Sequence, residues 1–144
     1  MEMARAQRES FRRSPASYGR KLAELIEAGL AMKDEDYRRA LEHRERFHAD
    51  AARLLGELDA LFLPATPTAA PHGLESTGDP RFSVHWTNAG LPVITLPAAL
   101  SAAGLPLGIQ LVGAPGADLH LLRVARFVEE RLGWGRRLAP LPPP

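Results

Sequence analysis

Two short apolar runs, Val93–Leu96 and Leu107–Val112, lie within one stretch from Asn88 to Gly113 and are punctuated by Gly and Pro. Runs this short, bounded by turn residues, read as strands and not as buried helices. Proline cannot donate to a ladder, so Pro92 and Pro97 are expected at the two ends of the first strand. The second run alternates, with Leu107, Ile109 and Leu111 facing one way and Gly108, Gln110 and Val112 the other. The connector Ala98–Pro106 is short enough to return the chain antiparallel, which favours a wide hairpin over a helical crossover. Gly90, Gly104, Gly108 and Gly113 mark places where backbone runs close to another strand or a ligand.

The flanking sequence is helical in period. Residues 2–12 carry few apolar positions and read as a weak helix or frayed arm. Ser14-Pro15 begins a helix whose face is Tyr18, Leu22, Leu25 and Ile26, with Gly29 expected as its left-handed stop. Asp34 opens the longest helix with acids in its first turn, where the helix dipole favours them. Its apolar stripe includes Tyr37, Leu41, Phe47, Ala51, Leu54, Leu55 and Leu58. His43 and His48 are five apart and diverge on a helix, so they do not form a zinc pair. Asp59–Pro64 reads as a brief buried strand. After Gly113, Asp118 is expected as the N-cap of a last helix that stops at Gly133, with His120 as a neutral surface residue.

Residues 64–87 read as a loop by composition. A segment of that length is functional or mobile. Two readings stay open for its aromatic and histidine residues. In one, the aromatics close the edge of the core and the histidines are solvated; in the other, Thr66, His72, Phe82, Trp86 and Asn88 converge on one substrate concavity.

Length and charge bound the rest. A chain of 144 residues suits one domain, here 1–135, with a proline-rich tail at 136–144. The absence of Cys excludes thiolate chemistry, and a net charge of +1 gives no reason to invoke nucleic acid. No run is long and apolar enough for a membrane span, and the first residues lack the apolar core of a signal peptide, so the cytoplasm is the expected location.

Several of these residues together resemble the closing part of an amidase signature family enzyme. The pattern is Asn88, Gly90, Pro92 and Pro97, then Gly104-Leu105-Pro106, Gly108, Gln110 and Gly113. It is preceded by Asp36-Tyr37, Ala40-Leu41, Arg44, Asp59, Pro64, Pro67 and Ala70-Pro71, so the similarity runs from about Tyr18 to Leu132. One departure is Ala98-Ala99, where the family has a nearby Gly. The resemblance implies an α/β fold: a short mixed β-sheet with flanking helices, holding a few strands and three or four helices in this chain. It also implies amide hydrolysis without a cofactor or metal. Glutamine-using relatives place an acidic residue shortly before the motif Asn, where this chain has Pro80, Arg81 and Phe82 with only Asp79 nearby, so the resemblance favours a simple or aryl amide over a glutamyl-tRNA amidotransferase role.

The family's own catalysts are a serine nucleophile, a second serine and a lysine, with the nucleophile set in a Gly/Ser-rich run. A serine hydroxyl is inert until a base takes its proton, and lysine is a base only when neutral. Here Ser10, Ser14, Ser17, Ser76, Ser83 and Ser101 include no adjacent pair and no glycine-flanked cluster, and Lys21 and Lys33 sit in polar contexts. No residue is therefore assigned a catalytic role. Glu129-Glu130 and Asp34/Asp36 read as solvated helix-end charges. The phosphate-loop and dinucleotide patterns are missing. Two expectations remain: a polypeptide that supplies the pocket wall to a catalytic half elsewhere, or a non-catalytic structural and interaction module. In either case a homodimer or a complementary chain is the expected partner, because a sheet edge with free N–H and C=O groups invites pairing.

Overall fold

A computed structural model describes residues 1–135; the proline-rich tail lies outside the described residues. In chain order the elements are α1 (Glu2–Arg13), a 3-10 turn (Pro15–Ser17), α2 (Arg20–Ala31), α3 (Asp34–Leu55), β1 (Leu61–Pro64), α4 (Val84–Ala89), β2 (Val93–Leu100), β3 (Pro106–Val112) and α5 (Asp118–Leu132). By their internal contacts the described residues fall into two compact units, Met1–Arg44 and Glu45 onward, and each is taken by itself.

In the first unit the N-terminal arm is a full helix, because α1 has a small-residue contact to make. Ala4 is 1 % exposed, and a β-carbon on Gly29 would fall 2.6 Å from the Ala4 Cβ. Gly29 therefore lies inside α2 as a close-approach residue and is not the expected stop; α2 continues to Ala31. Hydrogen bonding ties α1 to the start of α3. The Tyr37 hydroxyl donates to Glu2 Oε1 at 2.6 Å, and Arg5 reaches Asp34 Oδ1 at 2.7 Å. Both bonds are exposed, so each contributes little on its own. The Glu2 acceptor, aided by burial and by the Glu2 charge, raises the Tyr37 pKa above its ordinary 10.0.

The second unit is a three-stranded sheet in the order β1-β3-β2, antiparallel throughout. The α/β class is as expected; a mixed sheet is not what these strands form, since the short turn at Ser101–Leu105 returns the chain antiparallel. The central strand β3 uses both its faces. Ile109 and Leu111 join Leu96, Leu121 and Ala125 in one cluster beneath α5. Val112 joins Ala51, Leu55, Ala89 and Leu91 in another, beneath α3 and α4. The alternation in the sequence is thus the alternation between two cores.

Four expectations change in this unit. Pro97 is inside β2 and not at its end: register slips between Pro97 and Ala99, and this bulge is where a strand tolerates proline. β1 is an edge strand with Phe62 59 % exposed, not a buried one. The last part of the 64–87 segment folds as α4, ended by Gly90 at φ 70°, which brings the described helices to five. Asp118 is the first residue of α5 and Ala117 its cap, while Gly133 ends the helix at φ 60° as expected.

Candidate functional site

Gln110 organises this region. It is the buried polar residue of the described core, 1 % exposed at the centre of β3. Its side-chain Nε2 donates to the Pro64 carbonyl at 3.1 Å and to the Phe82 carbonyl at 2.5 Å. Both acceptors belong to the ends of the loop between β1 and α4, so one side chain closes that loop against the sheet. Among the described residues the backbone adds a tie at the first end, where the Ala65 N–H donates to the Gly108 carbonyl at 2.9 Å.

Beneath this loop is a hollow of about 370 Å³. Thr66, Thr68 and Asp79 line it from the loop, and Thr95, Pro97 and Gly108 from the sheet. Gly108 forms the tight part of the floor: an added β-carbon would lie 3.1 Å from Thr95 Cγ2 and 3.2 Å from Ala65 Cβ. Thr95 is brought here by register, since it pairs with Gln110 and shares its side of the sheet. Within the loop the Thr66 hydroxyl donates to the Thr68 carbonyl at 2.7 Å. The Arg81 backbone N–H donates to Asp79 Oδ1 at 2.9 Å and its Nε to Oδ2 at 2.6 Å. The Arg81 side chain first, then its backbone N–H, holds the Asp79 carboxyl below its ordinary 3.8, and the Arg81 guanidinium is raised in turn.

Chemically this is a hollow with threonine hydroxyl groups and one paired carboxylate. No Ser, Lys or His is among the described residues that line it. Lys21 and Lys33 are both exposed. A second, smaller hollow of about 200 Å³ is apolar and is formed by Phe47, Ala51, Leu54, Leu61 and Trp86 with Asp50.

The five residues expected to converge are divided. Thr66 lines the first hollow and Trp86 the second, where its ring lies 5.5 Å from that of Phe47. His72, Phe82 and Asn88 line neither; Phe82 takes part through its carbonyl. Trp86 packs against the α3/α4 core, which is the core-edge role. Of the motif residues, Pro97, Pro106 and Gly108 line the first hollow, Pro64 and Gln110 fix its cover, and Gly104 makes the hairpin turn through its N–H to the Ser101 carbonyl. Pro92 accepts from the Gly113 N–H at 2.9 Å, and Asp59 meets His120 at 3.1 Å on the surface. His48 donates from Nδ1 to the Ala89 carbonyl at 2.8 Å, a structural bond that fixes the end of α4. Sequence reasoning missed Thr95 and Thr68 as lining residues, and it named Asp79 only as the acid nearest the motif Asn. Thr95 had a signal, as the one polar residue in the run Val93–Leu96, on the Gln110 side.

Known proteins resemble this chain in sequence and fold. The family model described as Amidase matches residues 4–122. The A subunit of glutamyl-tRNA(Gln) amidotransferase from Geotalea daltonii is 35% identical over 75% of this chain and 24% of its own length. The same subunit from Methylocella silvestris is 39% identical over 67% of this chain and 22% of its own. Among solved structures, that of an amidase superposes with a TM-score of 0.81 at 32% identity, covering 90% of this chain and 32% of that one. The amidotransferase subunit from Thermotoga maritima gives a TM-score of 0.58 at 27% identity, over 85% of this chain and 27% of that one. The chain thus spans about a quarter of the length of the curated relatives it matches.

Proposed function

The chain belongs to the Amidase family, and from that premise we propose that it supplies part of the wall of an amide-binding cleft while the nucleophile and base come from sequence outside it. The hollow beneath the Gln110-held loop carries this reading. It is sized for a small molecule, offers threonine hydroxyls for an amide's polar atoms, and is lined by residues of the family motif. Its lining has neither a serine nor a neutral base, so the chain binds an amide and does not acylate on it.

The substrate class we assign is an uncharged simple or aryl amide. Asp79 is the charged residue of the hollow and its charge is already offset by Arg81. That argues against its holding a substrate ammonium, although the curated relatives carry the amidotransferase name. The partner is a complementary catalytic polypeptide or a second copy of this chain, supported by the exposed apolar residues Leu25, Leu119, Leu122 and Phe127. No described helix is long and apolar enough to cross a membrane, and a cytoplasmic location is part of the proposal.

Titration with benzamide, followed by the backbone amide signals of the labelled protein, tests it. The expected result is saturable shifts at Ala65, Thr66, Thr95 and Gly108. Shifts confined to Phe47 and Trp86, or none at millimolar ligand, overturn it and favour a purely structural module.

A further inference from the structure

Gln110 spends its two side-chain hydrogens on carbonyls that begin and end one loop. Those two carbonyls, Pro64 and Phe82, bracket every loop residue that lines the hollow, from Ala65 to Asp79. The two ends are not held alike. At the first, β1 pairs with β3 and the Ala65 N–H continues the ladder to Gly108. At the second, the Ser83 and Val84 N–H groups turn back locally to Pro80, and the Gln110 side chain is what reaches this end from the sheet. A buried amide with its donors matched to carbonyls is in balance; an apolar or anionic group of the same shape leaves those carbonyls without their donors.

We propose that Gln110 is a positioning residue for the hollow: its side-chain amide is the clasp that holds the Phe82 end of the loop over the sheet, so that the loop opens at that end when the clasp is lost while the sheet stays folded. This concerns the order of the loop. Only its binding arm rests on the amide-cleft reading above.

The test is hydrogen exchange on the full chain, comparing wild type with Gln110→Met and Gln110→Glu. Methionine keeps the volume and removes both donors. The proposal expects exchange at Ser83 and Val84 to rise about tenfold or more, as for losing one or two buried hydrogen bonds. The Ala65 amide should change less, and the β2–β3 amides should keep their protection.

Gln110→Glu adds a readout that packing alone would not give. An ionised carboxylate donates nothing, whereas the protonated acid donates one hydrogen. Facing two carbonyl oxygens in a buried site, its pKa is raised, so loop protection is present below that pKa and lost as pH rises through it. The titratable groups of the surrounding elements include Asp79 and Arg81, which pair with each other, His85, which lies against Phe47, and His48, which bonds the Ala89 carbonyl; wild type measured over the same range isolates their effect. Loop protection unchanged in Gln110→Met, or collapse of the β2–β3 amides in both variants at every pH, overturns the proposal. Benzamide shifts lost in Gln110→Met but present in wild type extend the clasp to binding. Their absence in wild type sinks the cleft reading and leaves the exchange result to decide the clasp.

Discussion

Ala4 of α1 lies so close to Gly29 of α2 that the space for a second methyl does not exist: the Cβ of Ala4 would be 2.6 Å from one on Gly29. Two opposing effects meet at Gly29→Ala. Alanine is about 1 kcal/mol the better helix former, but overpacking costs about 1–3 kcal/mol when neither partner can swing away. Neither methyl here has a rotamer to change. The expected result is a net loss of about 1 kcal/mol in urea unfolding, with part regained in the Ala4→Gly/Gly29→Ala pair. A raised midpoint for the single variant would show that the helices separate at no cost.

Gly108→Ala should be tolerated by the fold and not by the hollow. Its new methyl meets Thr95 Cγ2 at 3.1 Å and Ala65 Cβ at 3.2 Å, so neighbours must give by a few tenths of an ångström. A stability loss of about 1 kcal/mol is expected, together with weaker benzamide shifts at Ala65 and Thr95. Removing the opposing Cγ2 in Gly108→Ala/Thr95→Ser should restore part of the stability, the Ala65 contact remaining. Equal benzamide binding in the single variant would place the amide elsewhere.

The Asp79–Arg81 pair predicts a pH dependence with a definite sign. Asp79 has a folded pKa below its ordinary 3.8, from the Arg81 side chain and then its backbone N–H. Its contribution to loop order is therefore complete above 3.8 and is lost as pH falls through the lower folded value. Carboxyl NMR should give a midpoint below 3.8 in wild type that moves upward in Arg81→Ala. A midpoint the same in both would mean the pair does not persist in solution.

Association is expected from surface chemistry. Leu25 is 61 % exposed, Leu119 73 % and Phe127 58 %, and β1 and β2 each pair with a single strand among the described residues. Exposed apolar surface and strand edges favour pairing. Light scattering across micromolar concentrations should show a dimer or higher species. A monodisperse monomer over that range would refute association through a second copy of this chain.

The sequence made some of these features legible because they are local. The alternation along β3 became two cores, Ile109 and Leu111 in one and Val112 in the other, and Gly133 ended α5. What it hid depends on distant partners. Gly29 looked like a helix stop because its reason, Ala4, lies on another helix. Pro97 looked like a strand end because the bulge that tolerates it exists only against β3. The clasp joins Gln110 to Phe82 across 28 residues, and His48 reaches Ala89 across 41. Neither spacing has a period to read.

The most direct test of the central claim, that this chain is wall and not nucleophile, is intact-mass measurement after treatment with an alkyl fluorophosphonate, alongside turnover of small aliphatic and aryl amides. The account predicts an unchanged mass and no hydrolysis above buffer. One stoichiometric adduct on a serine, with turnover that disappears when that serine becomes alanine, would contradict it.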